Sequence, residues 1–257
     1  MISVTSAQLD AWLVAFIWPF TRILGLIAAA PVTGRPQFPL RAKIGLAVLV
    51  SLVITPALPA LPKIDPGSWY GLFLLAQELA IGLALGFLMR LVFTAVEFAA
   101  ELIGLQMGLG FAQFYDAQTA APMPVLSRFF GLAATLTFLA IDGHLLLFGV
   151  LAESFTTLPV GGSATSGFWQ TLASQGGHLV FAALSLSLPV IAALLVTNLA
   201  LGILSRAAPQ LNIFAVGFPV TILVGFAAAL FSISYLLPVF EHLVRDTVDM
   251  MLQLRPS

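Results

Sequence analysis

Ser154 to Ser205, SFTTLPVGGSATSGFWQTLASQGGHLVFAALSLSLPVIAALLVTNLALGILS, runs for 52 residues without one Asp, Glu, Lys or Arg. A solvated domain of that length without charge is not found among ordinary globular chains. Across all 257 residues, 60% are hydrophobic and 8% charged, with a mean hydropathy of +1.06. There is too little polar surface to cover a globule in water. The chain therefore belongs in a bilayer or buried among partner subunits, and its length allows about five to seven membrane-length helices of about 20 residues.

C-terminal to the quoted stretch, apolar residues continue to Phe240. Two long segments, His178 to Leu204 and Ile213 to Phe240, contain Pro189 and Pro219 and flank a short turn at Arg206, Ala207, Ala208 and Pro209. The pattern predicts a proline-broken helical hairpin with a basic, cytoplasmic tip. Residues 241–257 mix both charge signs and predict an amphipathic tail at an interface. On the N-terminal side, PVGGSATSG opens an uncharged connector over residues 159–177. Before it, Phe129 to Leu158 would extend ~45 Å as one helix against a hydrocarbon core of ~30 Å. A break is expected at Asp142, Gly143 and His144.

Towards the N-terminus the text changes again. Residues 104–128, GLQMGLGFAQFYDAQTAAPMPVLSR, mix Gly, Met, aromatic and turn residues, and neither helical nor strand periodicity persists. Gly104, Gly108 and Gly110 permit unusual backbone angles, while Pro122 and Pro124 stop any helix entering from the left. The reading is an apolar ordered loop, long enough to suggest function. Upstream, Trp69 to Gly104 reads as one long helix opened by an interfacial aromatic pair, Trp69 and Tyr70. On it, Arg90, Glu97 and Glu101 share one face, and Glu78 lies off that face. The first two apolar stretches, Leu9 to Pro31 with Pro19 and Arg22 inside, and Ile44 to Leu61, predict a helical hairpin. Its linker carries Arg35, Arg41 and Lys43 without an acid, which places it in the cytoplasm and the N-terminus outside. MISVTSAQLD lacks the basic region of a secretory signal, so the first apolar segment is expected to be retained. Gly82 with Gly86, and Gly104 with Gly108, have the spacing of close helix contacts, a pattern also common by chance in apolar chains.

The net charge of −1 argues against nucleic acid as a partner, and the absence of Cys excludes disulfides and Cys-ligated metals. No P-loop, HExxH, GxSxG, dinucleotide fingerprint or paired catalytic carboxylates is present. The expectation is a protein that is no enzyme, with no catalytic residues, cofactor or metal. The intramembrane ionisable groups remain. Asp142 with His144 reads either as a proton relay or as Asp142 capping the second half of a broken helix. Arg90, Glu97 and Glu101 either line an aqueous path or make polar contacts between subunits. Met107, Phe111, Phe114, Tyr115 and Met123 are either core filler or soft side chains that constrict a pore and part for a passing chain. A proton-coupled small-molecule transporter is the alternative reading, with broken helices lining a midplane site.

Three separated stretches, PVTGRPQFPLRAKIGLA, ELIGLQMGLGFAQFYDAQTAAPMPVLSRF and DGHLLLFGVLAESFTTLP, occur in this order. With them the chain resembles, over essentially its whole length, the FliR family of flagellar biosynthetic proteins, membrane components of the flagellar type III secretion export gate. The injectisome proteins of the SctT type are its nearest relatives. The resemblance implies an all-α membrane protein of long helical hairpins, with a FliP-like part over residues 1–158 and a FliQ-like hairpin over residues 178–240. It implies an assembly of one FliR with five FliP and four FliQ copies in the bacterial inner membrane at the flagellar basal body, partly raised toward the periplasm. FlhB, FlhA and unfolded flagellar substrates are the further partners implied. By the same resemblance, residues 104–128 form the pore-plugging loop. Arg206, Pro209, Gln210 and Phe214 then lie at the cytoplasmic-side constriction. The absent ATP site fits a family driven by the proton motive force and a separate ATPase.

Overall fold

The computed structural model describes residues 6–59, 61–62, 64–109, 125–162, 166–210 and 212–253. Seven α-helices follow one another among them: α1 (Ser6–Ala29), α2 (Leu40–Ile54), α3 (Trp69–Gln106), α4 (Val125–Ala140), α5 (Gly143–Thr157), α6 (Ser166–Ala207) and α7 (Ile213–Gln253). A single 3-10 turn, Thr55–Ala57, prolongs α2, and no strand occurs among the described residues. Among the described residues five helices are long and apolar enough to cross a membrane, or up to six spans if α4 and α5 together make one. The protein is an all-α membrane protein.

The helices form where composition leaves the backbone no better partner than itself. Hydroxyls that would be orphaned in an apolar setting fold back onto their own helix: Thr21 donates to Ile17 O, Ser51 to Ala47 O and Thr197 to Ala193 O. The ends are closed by local chemistry. Ser68 accepts from Gly71 N at 3.0 Å and so caps the start of α3, while Asp65 Oδ1 accepts from Gly67 N in the preceding turn. In the first linker Gly34 N donates to Ala30 O and Thr33 Oγ1 to Ile27 O, satisfying carbonyls that α1 leaves open.

Two features differ from the sequence expectation. The segments expected to be interrupted at Pro189 and Pro219 run as α6 and α7 with those prolines inside them, as Pro19 lies inside α1 and Pro238 inside α7. A proline removes one N–H and crowds one carbonyl, which an apolar helix tolerates when its other backbone bonds have no competitor. Helix α6 begins at Ser166 and α7 runs on to Gln253, so regular structure extends into both the expected connector and the expected tail. Gly176 and Gly177 stay helical although a Cβ at either would meet nothing within 4 Å. In the last turns of α7, Val244, Val248 and Met251 are buried at helical spacing while Arg245, Asp246 and Asp249 are exposed.

The chain divides into two compact units: Met1–Leu91, Asp142–Gly176 and Val244–Ser257 make one, Val92–Ile141 and Gly177–Leu243 the other. In the first, α1 and α3 meet backbone to backbone. A Cβ on Gly25 would lie 2.6 Å from Leu79 O, one on Gly86 2.7 Å from Leu26 O, and one on Gly82 would collide with Arg22 O. The small-residue spacing Gly82 with Gly86 is thus a helix crossing here, and it seats Trp18, Ile23, Leu26, Ile81 and Leu85 in the core. In the second unit, Phe93 stands edge-to-face with Phe138 and Phe240, each at 5.4 Å between ring centroids.

Candidate functional site

The strongest polar feature of the first unit is one that sequence reasoning did not assemble. Arg22, on α1, and Glu78, on α3, are both fully buried, and Arg22 Nε donates to Glu78 Oε2 at 2.6 Å while Nη2 donates to Oε1 at 3.0 Å. The second hydrogen on Nη2 goes to Leu158 O at 2.8 Å, and Nη1 donates to Ser154 O at 2.8 Å and to Ser154 Oγ at 3.0 Å. A guanidinium has five N–H groups, and five acceptors are in place. Its Cζ lies over the Phe155 ring, 4.1 Å from the centroid. The glycine crossing explains how the pair forms. Glu78 precedes Gly82 by one helical turn, and Gly82 lies against the Arg22 backbone, so the two charges share the tightest contact between α1 and α3. The signal available in the sequence was two solitary charges of opposite sign in apolar stretches, which are stable only if they find each other.

In the second unit, α3 ends where Gly108 takes φ +81°, with Met107 N donating to Ile103 O and Gly108 N to Leu105 O. Met107 is buried in a notch of α7: a Cβ on Gly225 would lie 2.5 Å from Met107 Cγ, and Thr221 Oγ1 reaches Met107 O at 3.5 Å. Gly104 is also buried, with Leu126 Cβ 4.0 Å from where its own Cβ would stand. Gly110, Phe111, Phe114, Tyr115 and Met123 lie outside the described residues. Both ends of that interval open on one apolar groove of about 380 Å³, lined by Leu109, by Val125 and Phe129 of α4, and by Phe226, Leu230 and Ile233 of α7. Glu97 lies against Gly131, where a Cβ would come 2.7 Å from its Oε1, and Ser127 Oγ donates to Glu97 O at 3.0 Å. Arg90 is exposed and Glu101 half-buried. Between α6 and α7, Arg206, Pro209 and Gln210 are exposed and Asn212 starts α7 by accepting from Ala215 N, while the Phe214 side chain is outside the description.

The chain breaks between α4 and α5 at Ile141 and Asp142, and Asp142 stands at the N-cap of α5 with φ +55°. The expected side-chain cap is not formed. Asp142 takes the left-handed conformation, its side chain makes no cap bond, and its C=O accepts from Leu145 N and Leu146 N as the first carbonyl of α5. His144 Nδ1 is buried and has no hydrogen-bond partner among the described residues.

Comparison with known proteins supplies the remaining observation. The family model for bacterial export proteins, family 1, matches residues 13–247. Flagellar biosynthetic protein FliR of Escherichia coli (strain K12) is 42% identical over 98% of this chain and 96% of its own length. That of Pectobacterium carotovorum subsp. carotovorum is 44% identical over the same shares. The chain belongs to the FliR family of bacterial export proteins. FliR of Bacillus subtilis (strain 168) is 30% identical over 92% of the chain and 93% of its own length.

In this FliR-family chain the break offers a direct test. Glycine takes positive φ without a steric cost, and the Asp142 carboxylate has no cap bond to lose. Asp142→Gly is expected to leave stability unchanged or to raise it by up to about 1 kcal/mol, and Asp142→Val to lower it by about 1–2 kcal/mol. The thermal midpoints of the two purified variants check this.

Proposed function

We propose that the chain is a subunit of the flagellar type III secretion export gate in the bacterial inner membrane, helping to form and close the channel for unfolded flagellar proteins. The observation that carries this reading is the near full-length similarity to flagellar biosynthetic FliR proteins. Physical features support it. Helices α6 and α7, at 42 and 41 residues, extend about twice the ~30 Å of a hydrocarbon core. Leu195, Val196, Leu199, Ile203 and Phe231 stand exposed along them, and apolar surface beyond the reach of lipid needs protein cover. That cover is what FliP and FliQ copies would provide, in the ratio of one FliR to five FliP and four FliQ, with FlhB and FlhA at the inner side and part of the assembly raised toward the periplasm. Arg90, Glu97 and Glu101 then serve as inter-subunit contacts, and Arg206, Pro209, Gln210 and Phe214 as the cytoplasmic-side constriction.

Residues 104–128 act as the plug. Met107 anchors the segment in its notch, and Phe111, Phe114, Tyr115 and Met123 supply apolar side chains that keep a narrow pore dry when shut. Replacing Phe111 and Phe114 together by Gly is expected to make the membrane leak ions and to impair motility. An ion-tight membrane in cells carrying that variant at normal abundance refutes the plug. Co-expression with FliP and FliQ tests the assembly: a chain that purifies alone as a stable monomer, retaining neither protein, refutes the gate.

A further inference from the structure

Three of the five Arg22 N–H bonds do not go to Glu78. They go to Ser154 O, which also accepts from Leu158 N, to Ser154 Oγ, and to Leu158 O just past the end of α5 (Gly143–Thr157), where the helix dipole is negative. Gln77, next to Glu78 on α3, donates from Nε2 to Gly162 O, the other side of the same turn. Between these two anchors Gly161 takes φ +86°, which lets the chain turn there. We propose that Arg22 is a positioning residue. Its guanidinium is the C-terminal cap of α5 and, with Gln77, fixes the 158–162 turn from which the chain leaves for α6, while Glu78 balances and orients the cap.

The sequence separations give this arrangement its consequence. Arg22 is 56 residues from Glu78, 132 from Ser154 and 136 from Leu158. The first helix is therefore completed only by the third and the fifth, and the Arg22 side chain stays partly unsatisfied until α5 is in place. A plain ion pair makes a different prediction, since two buried charges that only neutralise each other are replaceable by apolar residues of similar volume.

The chain has no Cys, so Val160→Cys puts a single reporter in the turn. Labelling of that thiol by a water-soluble maleimide is measured in the full chain, purified with its co-expressed partners. With Arg22→Met and Glu78→Met together no buried charge remains, and the chain is expected to accumulate, yet the turn, having lost its cap, is expected to label at least about fivefold faster than in the parent. Accumulation with parental labelling overturns the proposal. If the double variant fails to accumulate, Arg22→Lys decides. Its ammonium keeps the charge balance but puts three donors on one atom in place of a five-donor fork, so the five bonds to Glu78, Ser154 and Leu158 cannot all be kept; faster labelling supports the cap and parental labelling overturns it. Gln77→Ala, which leaves all five Arg22 bonds intact, is expected to speed labelling by a smaller factor.

Discussion

Gly82→Leu is expected to abolish accumulation of the folded chain. The atoms that its Cβ would strike are backbone, Arg22 O and C and Leu26 N, and backbone cannot swing aside as a side-chain end can. Helices α1 and α3 would have to separate along their closest approach. Overpacking alone costs about 1–3 kcal/mol, and the separation also draws Arg22 away from Glu78, adding the cost of a broken buried pair, about 3–5 kcal/mol. Together these rival the whole stability of a typical domain. Gly82→Ala meets the same atoms with its first carbon and is expected to be severe but graded. Gly45→Ala in α2 is the control: nothing lies within 4 Å of its Cβ, and the change is expected to be neutral or to stabilise by up to about 1 kcal/mol. The amount of membrane-inserted protein and its survival after heating in detergent are the measurements. Normal accumulation of the Gly82→Leu chain would show that α1 and α3 do not cross there.

Glu78→Ala ranks second in expected effect. It leaves Arg22 fully buried and charged, with the Nε hydrogen and one Nη2 hydrogen lacking acceptors, in a setting where the unpaired ion cannot be rehydrated. A loss of about 3–5 kcal/mol is expected. Replacing both charges by Met should be milder than removing the acid alone, although it also removes the arginine's bonds to Ser154 and Leu158. Comparing heat resistance of Glu78→Ala with that of the paired Met variant reads this sign directly. A double variant less stable than Glu78→Ala would mean that the acid contributes little and the cap nearly everything.

The two effects differ in what they disturb. Gly82 acts first through excluded volume against backbone atoms, so salt should leave its variants unchanged. Glu78 acts through charge in a buried, low-dielectric place, where added salt also screens weakly. Insensitivity to ionic strength is therefore expected in both series, in contrast to variants of exposed Arg245 or Asp249, whose small effects should fade in salt.

By itself the sequence determined the class of the molecule, its helices and their approximate positions. The charge-free stretch from Ser154 to Ser205, the turn residues around Asp65 and the interruption at Asp142 are local signals, and hydropathy and backbone chemistry act locally. The three motifs resembling FliR were legible for the same reason, since they are contiguous words. The tertiary structure alone decided which residues meet. Asp142 was placed at a helix start by its position, but its left-handed φ and the missing side-chain cap were not announced by an Asp there. Pro189 and Pro219 looked like interruptions because a proline's local cost is visible and the absence of competing partners in an apolar environment is not. Arg22 and Glu78 were each visible as a solitary charge. Their union with Ser154 and Leu158 was not, because it rests on contacts up to 136 residues apart and on Gly82 allowing two backbones to touch. Periodicity tells which face of a helix is apolar, whereas the partner of that face is set by steric fit, which has no local trace.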